Sequence, residues 1–153
     1  MRAAIPIVLG ALLAGGSVSE QQYASWAAKP TPKSWRLGQT WAFVLLDKKG
    51  EILGSMTVRF TDQKAVSCLA GNWSRVETIR QRGAGAGPFS LLGRPLSYSL
   101  EGSALTVGAN DVCDGYEELV GELKDNGVTG QYIALSIGMR ESLGSFYGIP
   151  IEN

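Results

Sequence analysis

From Trp41 onward, apolar residues recur at every second position in short runs, with turn-forming residues between the runs. The clearest run follows Asp47-Lys48-Lys49-Gly50. There Ile52, Gly54, Met56, Val58 and Phe60 share one face, and Glu51, Leu53, Ser55, Thr57 and Arg59 share the other. Side chains alternate across a strand, so this register turns an apolar stripe inward and a mostly polar one outward. Asp47 can bond to amides ahead of it and Gly50 can adopt a left-handed conformation. The four residues therefore predict a type I turn with a bulge. The run before them, Trp41 to Leu46, is apolar on both faces and fits a strand covered on both sides, a pattern that a buried helix turn shares.

The same pattern continues along the chain. Thr61 to Asn72 predicts a turn with strand residues running into Cys68, and Trp73 to Arg82 alternates again. Gly83 to Pro95 is the longest irregular stretch. Beyond it, Gly102-Ser103 predicts a two-residue hairpin loop of the II′ kind, and Asn126-Gly127 forms the centre of another hairpin. Arg140-Glu141 predicts a turn into a last strand that reaches Pro150. About eight hairpin-linked strands of even spacing predict an all-β fold, an eight-stranded antiparallel up-and-down β-barrel, with a two-sheet β-sandwich as the alternative. Closure removes exposed strand edges, and glycines inside the runs (Gly54, Gly121, Gly130, Gly138, Gly144) supply the bends it needs.

Ahead of the strands, Arg2 is followed by an uncharged apolar stretch and then small residues. This order predicts a signal peptide over residues 1–19, recognised at Ser17-Val18-Ser19. Ala3 to Gly16 is shorter than the roughly 20 residues a membrane-spanning helix needs. Residues 20–35 predict an N-terminal arm, helical at first and then broken at Lys29-Pro30-Thr31-Pro32, and residues 36–153 the barrel domain. An exported chain places Cys68 and Cys113 in an oxidising compartment, where a lone pair of cysteines predicts one disulfide.

The chain has no histidine. That excludes Ser-His and Cys-His nucleophile pairs, histidine-ligated metals and imidazole acid–base chemistry. No cofactor is expected. Asp111, Asp114, Glu117 and Glu118 form an acidic cluster around Cys113, but their spacing does not match a calcium loop, and Glu117 and Glu118 would point to opposite faces of a strand. No metal site is expected. Gly83-Ala84-Gly85-Ala86-Gly87 lacks the Gly-Lys-Ser/Thr ending of a phosphate loop. Asn72-Trp73-Ser74 is a glycosylation sequon in form, relevant only in a eukaryotic secretory pathway.

Net charge is zero but unevenly placed. Lys29 to Arg94 holds eleven bases and four acids, whereas Pro95 to Asn153 holds two bases and nine acids. The bases are not interleaved with aromatic residues, so nucleic-acid binding is not expected, and the two halves are expected to pair with each other in the closed fold.

The arrangement is similar to the calycin group of lipocalins, fatty-acid-binding proteins and avidins. Gly71-Asn72-Trp73 looks like the lipocalin Gly-x-Trp signature; Ser67 to Trp73 and Gly127 to Tyr132 resemble avidin segments. In both families the tryptophan motif opens the first strand, whereas here at least two predicted strands precede it. The resemblance therefore implies architecture and no particular ligand residues.

A pocket in such a barrel would be lined by inward side chains, for which Phe43, Met56, Val58, Tyr98, Leu100 and Tyr132 are the candidates. The face bearing Ile133, Leu135 and Ile137 is more apolar than the Tyr132 face, so the inward side of that strand stays open. Phe89, Leu91 and Leu92 form the apolar tip of the 83–95 loop, a candidate partner contact or a segment that tucks into the core. Three functions follow: an exported carrier of a small apolar molecule in the lumen; a protein-binding module, such as an inhibitor of an exported hydrolase; or a histidine-free enzyme that steers a substrate by shape.

Overall fold

A computed structural model describes residues 18–86 and 90–151, so most of the expected leader and Phe89 lie outside the described residues. A short helix, α1 (Glu20–Ala27), precedes eight strands: β1 (Thr40–Asp47), β2 (Ile52–Lys64), β3 (Ser74–Gly83), β4 (Leu96–Glu101), β5 (Ala104–Gly108), β6 (Tyr116–Lys124), β7 (Gly127–Ser136) and β8 (Met139–Ile151). Each strand pairs antiparallel with the next, and β8 returns to β1 from Ile151 opposite Thr40 to Gly144 opposite Asp47. The result is a closed eight-stranded barrel of calycin-like architecture rather than a two-sheet sandwich.

Local chemistry accounts for the first hairpin. Asp47 Oδ1 accepts from the Lys49 and Glu51 amides at 2.8 Å each, and Gly50 holds φ at +85°. Three local expectations need correction. Residues 65–73 form a loop, and the strand expected to lead into Cys68 is instead a longer β2 that ends at Lys64. The last hairpin turns at Ile137-Gly138, not Arg140-Glu141, because Gly138 supplies the positive φ (+69°) and Arg140 extends β8. The Asn126-Gly127 hairpin forms, but Gly127 lies opposite Lys124, so Asp125-Asn126 is the two-residue loop. Among the described residues only glycines have positive φ, which rules out a type I′ turn at those two positions.

The wall is uneven. β6 and β7 pair along nine residues, but β3 and β4 pair only where Ser74 to Val76 faces Tyr98 to Leu96. The disulfide Cys68–Cys113 crosses this thinnest seam, joining the β2–β3 loop to the β5–β6 loop. The Cys68 amide also donates to the Asn110 carbonyl at 2.9 Å. Trp73, which carries the Gly-x-Trp likeness, stands just before β3 with its indole N–H on the Ala70 carbonyl.

α1 packs on the outside of the barrel. Trp26, with Val18, covers Ala104, Val120 and Ile133, and Tyr23, Ala27 and Leu135 pack around them. Ser19 caps the helix, its hydroxyl accepting from the Gln22 amide, and the Val18 amide donates to Gln131 Oε1 at 2.5 Å. The charge halves meet as expected through Lys29–Glu122 (2.6 Å), Lys48–Glu141 (3.5 Å) and Arg94–Asp111 (3.5 Å).

Candidate functional site

Strand alternation brings the six expected lumen residues onto one inward surface. Phe43, Met56, Val58, Tyr98 and Tyr132 are buried in a single cluster, and half-buried Leu100 packs against it. They are joined by Trp41, Phe60 and Phe146, which reasoning from the sequence left out although Trp41 and Phe60 share the inward face of their strands. The rings interlock: Phe60 lies 4.9 Å from Tyr98 and 6.2 Å from both Trp41 and Phe43, and Phe43 stacks on Phe146 at 6.0 Å between centroids. Trp35, the last residue of the expected arm, packs on Phe60 (4.6 Å), Trp41 (5.6 Å) and Tyr98 (6.0 Å). Each buried ring contributes roughly 1.5–3 kcal/mol from area alone, so this packing is a main source of stability.

Farther along the interior, the irregular loop after β3 folds inward. Leu91 is fully buried in the core cluster, and Leu92 packs against it beside Gly54, where an added Cβ would lie 2.6 Å from Leu92 Cδ1. Side chains hold this loop: the Leu91 amide donates to Glu117 Oε2 at 3.1 Å, the Ala86 amide to the Tyr132 hydroxyl at 3.4 Å, and the Gly93 amide to Gln81 Oε1 at 2.6 Å. Tyr132 in turn donates to Glu117 Oε2.

Glu117 is only 1% exposed. Burial raises its pKa, and bonds from Tyr132 and the Leu91 amide, with the Arg94 charge, oppose the rise. The Tyr132 hydroxyl is pushed up by its own burial and by the carboxylate it serves. Glu118, on the opposite face as expected for adjacent strand residues, lies outside the barrel wall near α1. Burial lifts it to about 7, against a bond from Asn110 and the nearby Arg140 charge. The acidic cluster is thus split across the wall, and the described residues contain no group of three or more ligands able to hold a metal.

Among the described residues, three surface clefts stand out, and none of these three is lined by any of the six inward candidates. One of about 470 Å³ opens at the β3–β4 seam between Ala65, Val66, Arg75, Val76, Pro95, Leu96, Ser97 and Asp111. A second, about 260 Å³, lies between α1 and the wall beside Tyr23 and Glu118, and a third, about 520 Å³, lies where the Lys29 to Lys33 segment meets Glu122. Above the seam, Glu77 to Gly83 of β3 pairs with β2 but faces no strand on its other side among the described residues. No described helix is long and apolar enough to cross a membrane. No family model, curated protein or solved structure matches the chain.

Proposed function

We propose that this chain is an exported protein-binding module built on a packed barrel, with inhibition of an exported hydrolase as one form of that role. The observation that carries this reading is the mutual packing of aromatic rings inside the barrel. Trp35, Trp41, Phe43, Phe60, Tyr98 and Phe146 pack on one another, and Leu91 is buried in the same cluster. A carrier of the size class expected from the sequence needs about 300 Å³ or more of enclosed space. Two clefts of that size or more, at the β3–β4 seam and beside the Lys29 to Lys33 segment, lie on the outside, where they suit a partner's side chains. Glu117 and Tyr132 do converge inside, as an enzyme would require, but they bond to each other and to the loop. A rigid, disulfide-stapled scaffold lowers the entropic cost of presenting a fixed binding surface.

Native mass spectrometry of the protein recovered from its own compartment tests the reading. The expected result is a bare polypeptide mass, two hydrogens short of the reduced chain, together with a stoichiometric complex with another exported protein. A reproducible extra mass of a few hundred daltons, released on unfolding, would reinstate the lumenal carrier.

A further inference from the structure

The open edge of β3 combines three features. The first is backbone. From Glu77 to Gly83 the strand bonds to β2 on one side, while β4 takes up only Ser74 to Val76 on the other. An edge of this kind carries unpaired amides and carbonyls that can accept another extended chain. The nearby loop approaches by a side-chain contact, Gly93 to Gln81, rather than by a backbone ladder among the described residues.

The second feature is charge. The outward row of β3 is Arg75, Glu77, Arg80 and Arg82, all exposed. Glu77 is already paired with Arg59 at 3.0 Å, whereas Arg75, Arg80 and Arg82 form no ion pair among the described residues. The rest of the N-terminal basic excess is partly neutralised by acids of the C-terminal half, but this row is not. The third feature is shape. At the lower end of the edge, the 470 Å³ cleft has an apolar lining of Val66, Val76, Pro95 and Leu96, with Arg75 at its rim. Ile79, half-exposed at a bulge in the β2–β3 pairing, adds an apolar foothold beside the edge.

We infer that this edge receives an extended, acidic segment of a partner protein as an additional strand, with an apolar side chain of that segment seated in the seam cleft. This rests on the protein-binding reading above and names the partner's chemistry. Alternate residues of an added strand point the same way, so carboxylates two apart would meet Arg80 and Arg82 in register. The same arginines and the bulge discourage neutral or basic strands, which keeps the open edge from pairing indiscriminately.

The test uses the full, disulfide-bonded protein labelled with ¹⁵N. Two probes are added in turn: a seven-residue peptide alternating glutamate and valine, and the same peptide with lysine for glutamate. The glutamate peptide should slow amide exchange between Ile79 and Arg82 at least tenfold, in a salt-sensitive way, and the lysine peptide should not. The double substitution Arg80→Glu with Arg82→Glu should weaken the glutamate peptide at least tenfold, leaving the exchange pattern of β5 to β8 as a check that the fold is intact. Equal action of both peptides, protection on other strands, or undiminished binding by the double variant would overturn the inference. So would a concentration-dependent dimer whose β3 amides are protected without any peptide, which would assign the edge to a second copy. If the double variant still captures the exported partner found by native mass spectrometry, the edge proposal fails while the module reading stands. A small molecule released from the lumen would instead defeat the module reading itself.

Discussion

Removing the disulfide should cost this barrel more than any single surface contact, and the location of the loss can be forecast. Cys68 and Cys113 are separated by 45 residues in sequence. In the chain-entropy account, opening a loop of that length frees the unfolded chain by about 4 kcal/mol. For a domain of this size each kcal/mol lowers Tm by roughly 3–4 °C, so the Cys68→Ser, Cys113→Ser double variant should melt about 12–16 °C lower. The structure says where the slack appears. The bond holds the β2–β3 loop over buried Asn110, which accepts from the Ser97 hydroxyl through its side chain and from the Cys68 amide through its carbonyl. Amide exchange should therefore rise first at the β3–β4 seam, around Ser97 and Cys68, before β6 and β7 respond. Differential scanning calorimetry of oxidised protein and double variant at one pH, followed by residue-resolved exchange, checks both parts. A Tm decrease under about 3 °C, or a uniform rise in exchange over all eight strands, would refute the view that the disulfide staples the weakest seam.

Three further outcomes are expected. The folded-state pKa of Glu118, about 7, lies above its ordinary 4.5, so the folded chain binds more protons than the unfolded one in between, and stability from this group falls as pH rises through that window. Urea unfolding should show a loss of about 2–3 kcal/mol from this group between pH 5 and pH 8, absent in Glu118→Gln; parallel pH profiles for the two proteins would contradict the assignment. Tyr132→Phe removes a donor from buried Glu117 and an acceptor from the Ala86 amide, and should cost about 1–3 kcal/mol and speed exchange at Leu91, whereas a change confined to distant strands would contradict the loop-anchoring role. Because Val18 is buried under α1 and Ser19 caps it, any processed form of the chain should keep both residues; an N-terminal sequence beginning at Glu20 would contradict this.

How far the sequence could be read differs from element to element. Asp47 and Gly50 built their turn locally, and the alternation of Met56, Val58 and Phe60 put those side chains inside. The last hairpin turns at Ile137-Gly138 and not at Arg140-Glu141, because Gly138 meets the dihedral requirement two residues before Arg140. The placement of Leu91 was open in the sequence, since an apolar loop tip can face a partner or a core with equal chemistry. Glu117 was visible as one acid among four, but its partnership with Tyr132 joins two strands and a distant loop.

The sequence by itself determined the strand count, the turns that short-range hydrogen bonding specifies, and the pairing of its only two cysteines. It also made the two faces of each strand chemically distinct. It could not determine what covers each face. Tyr132 points inward although the Ile133 face is the more apolar, because α1 comes back over β5 to β7 and buries Ile133 from outside. The packing of the aromatic rings on one another, the burial of Leu91 and the short β3–β4 pairing are likewise decided by tertiary structure. Alternation and turn chemistry act over a few residues, whereas burial depends on segments that meet only once the barrel has closed.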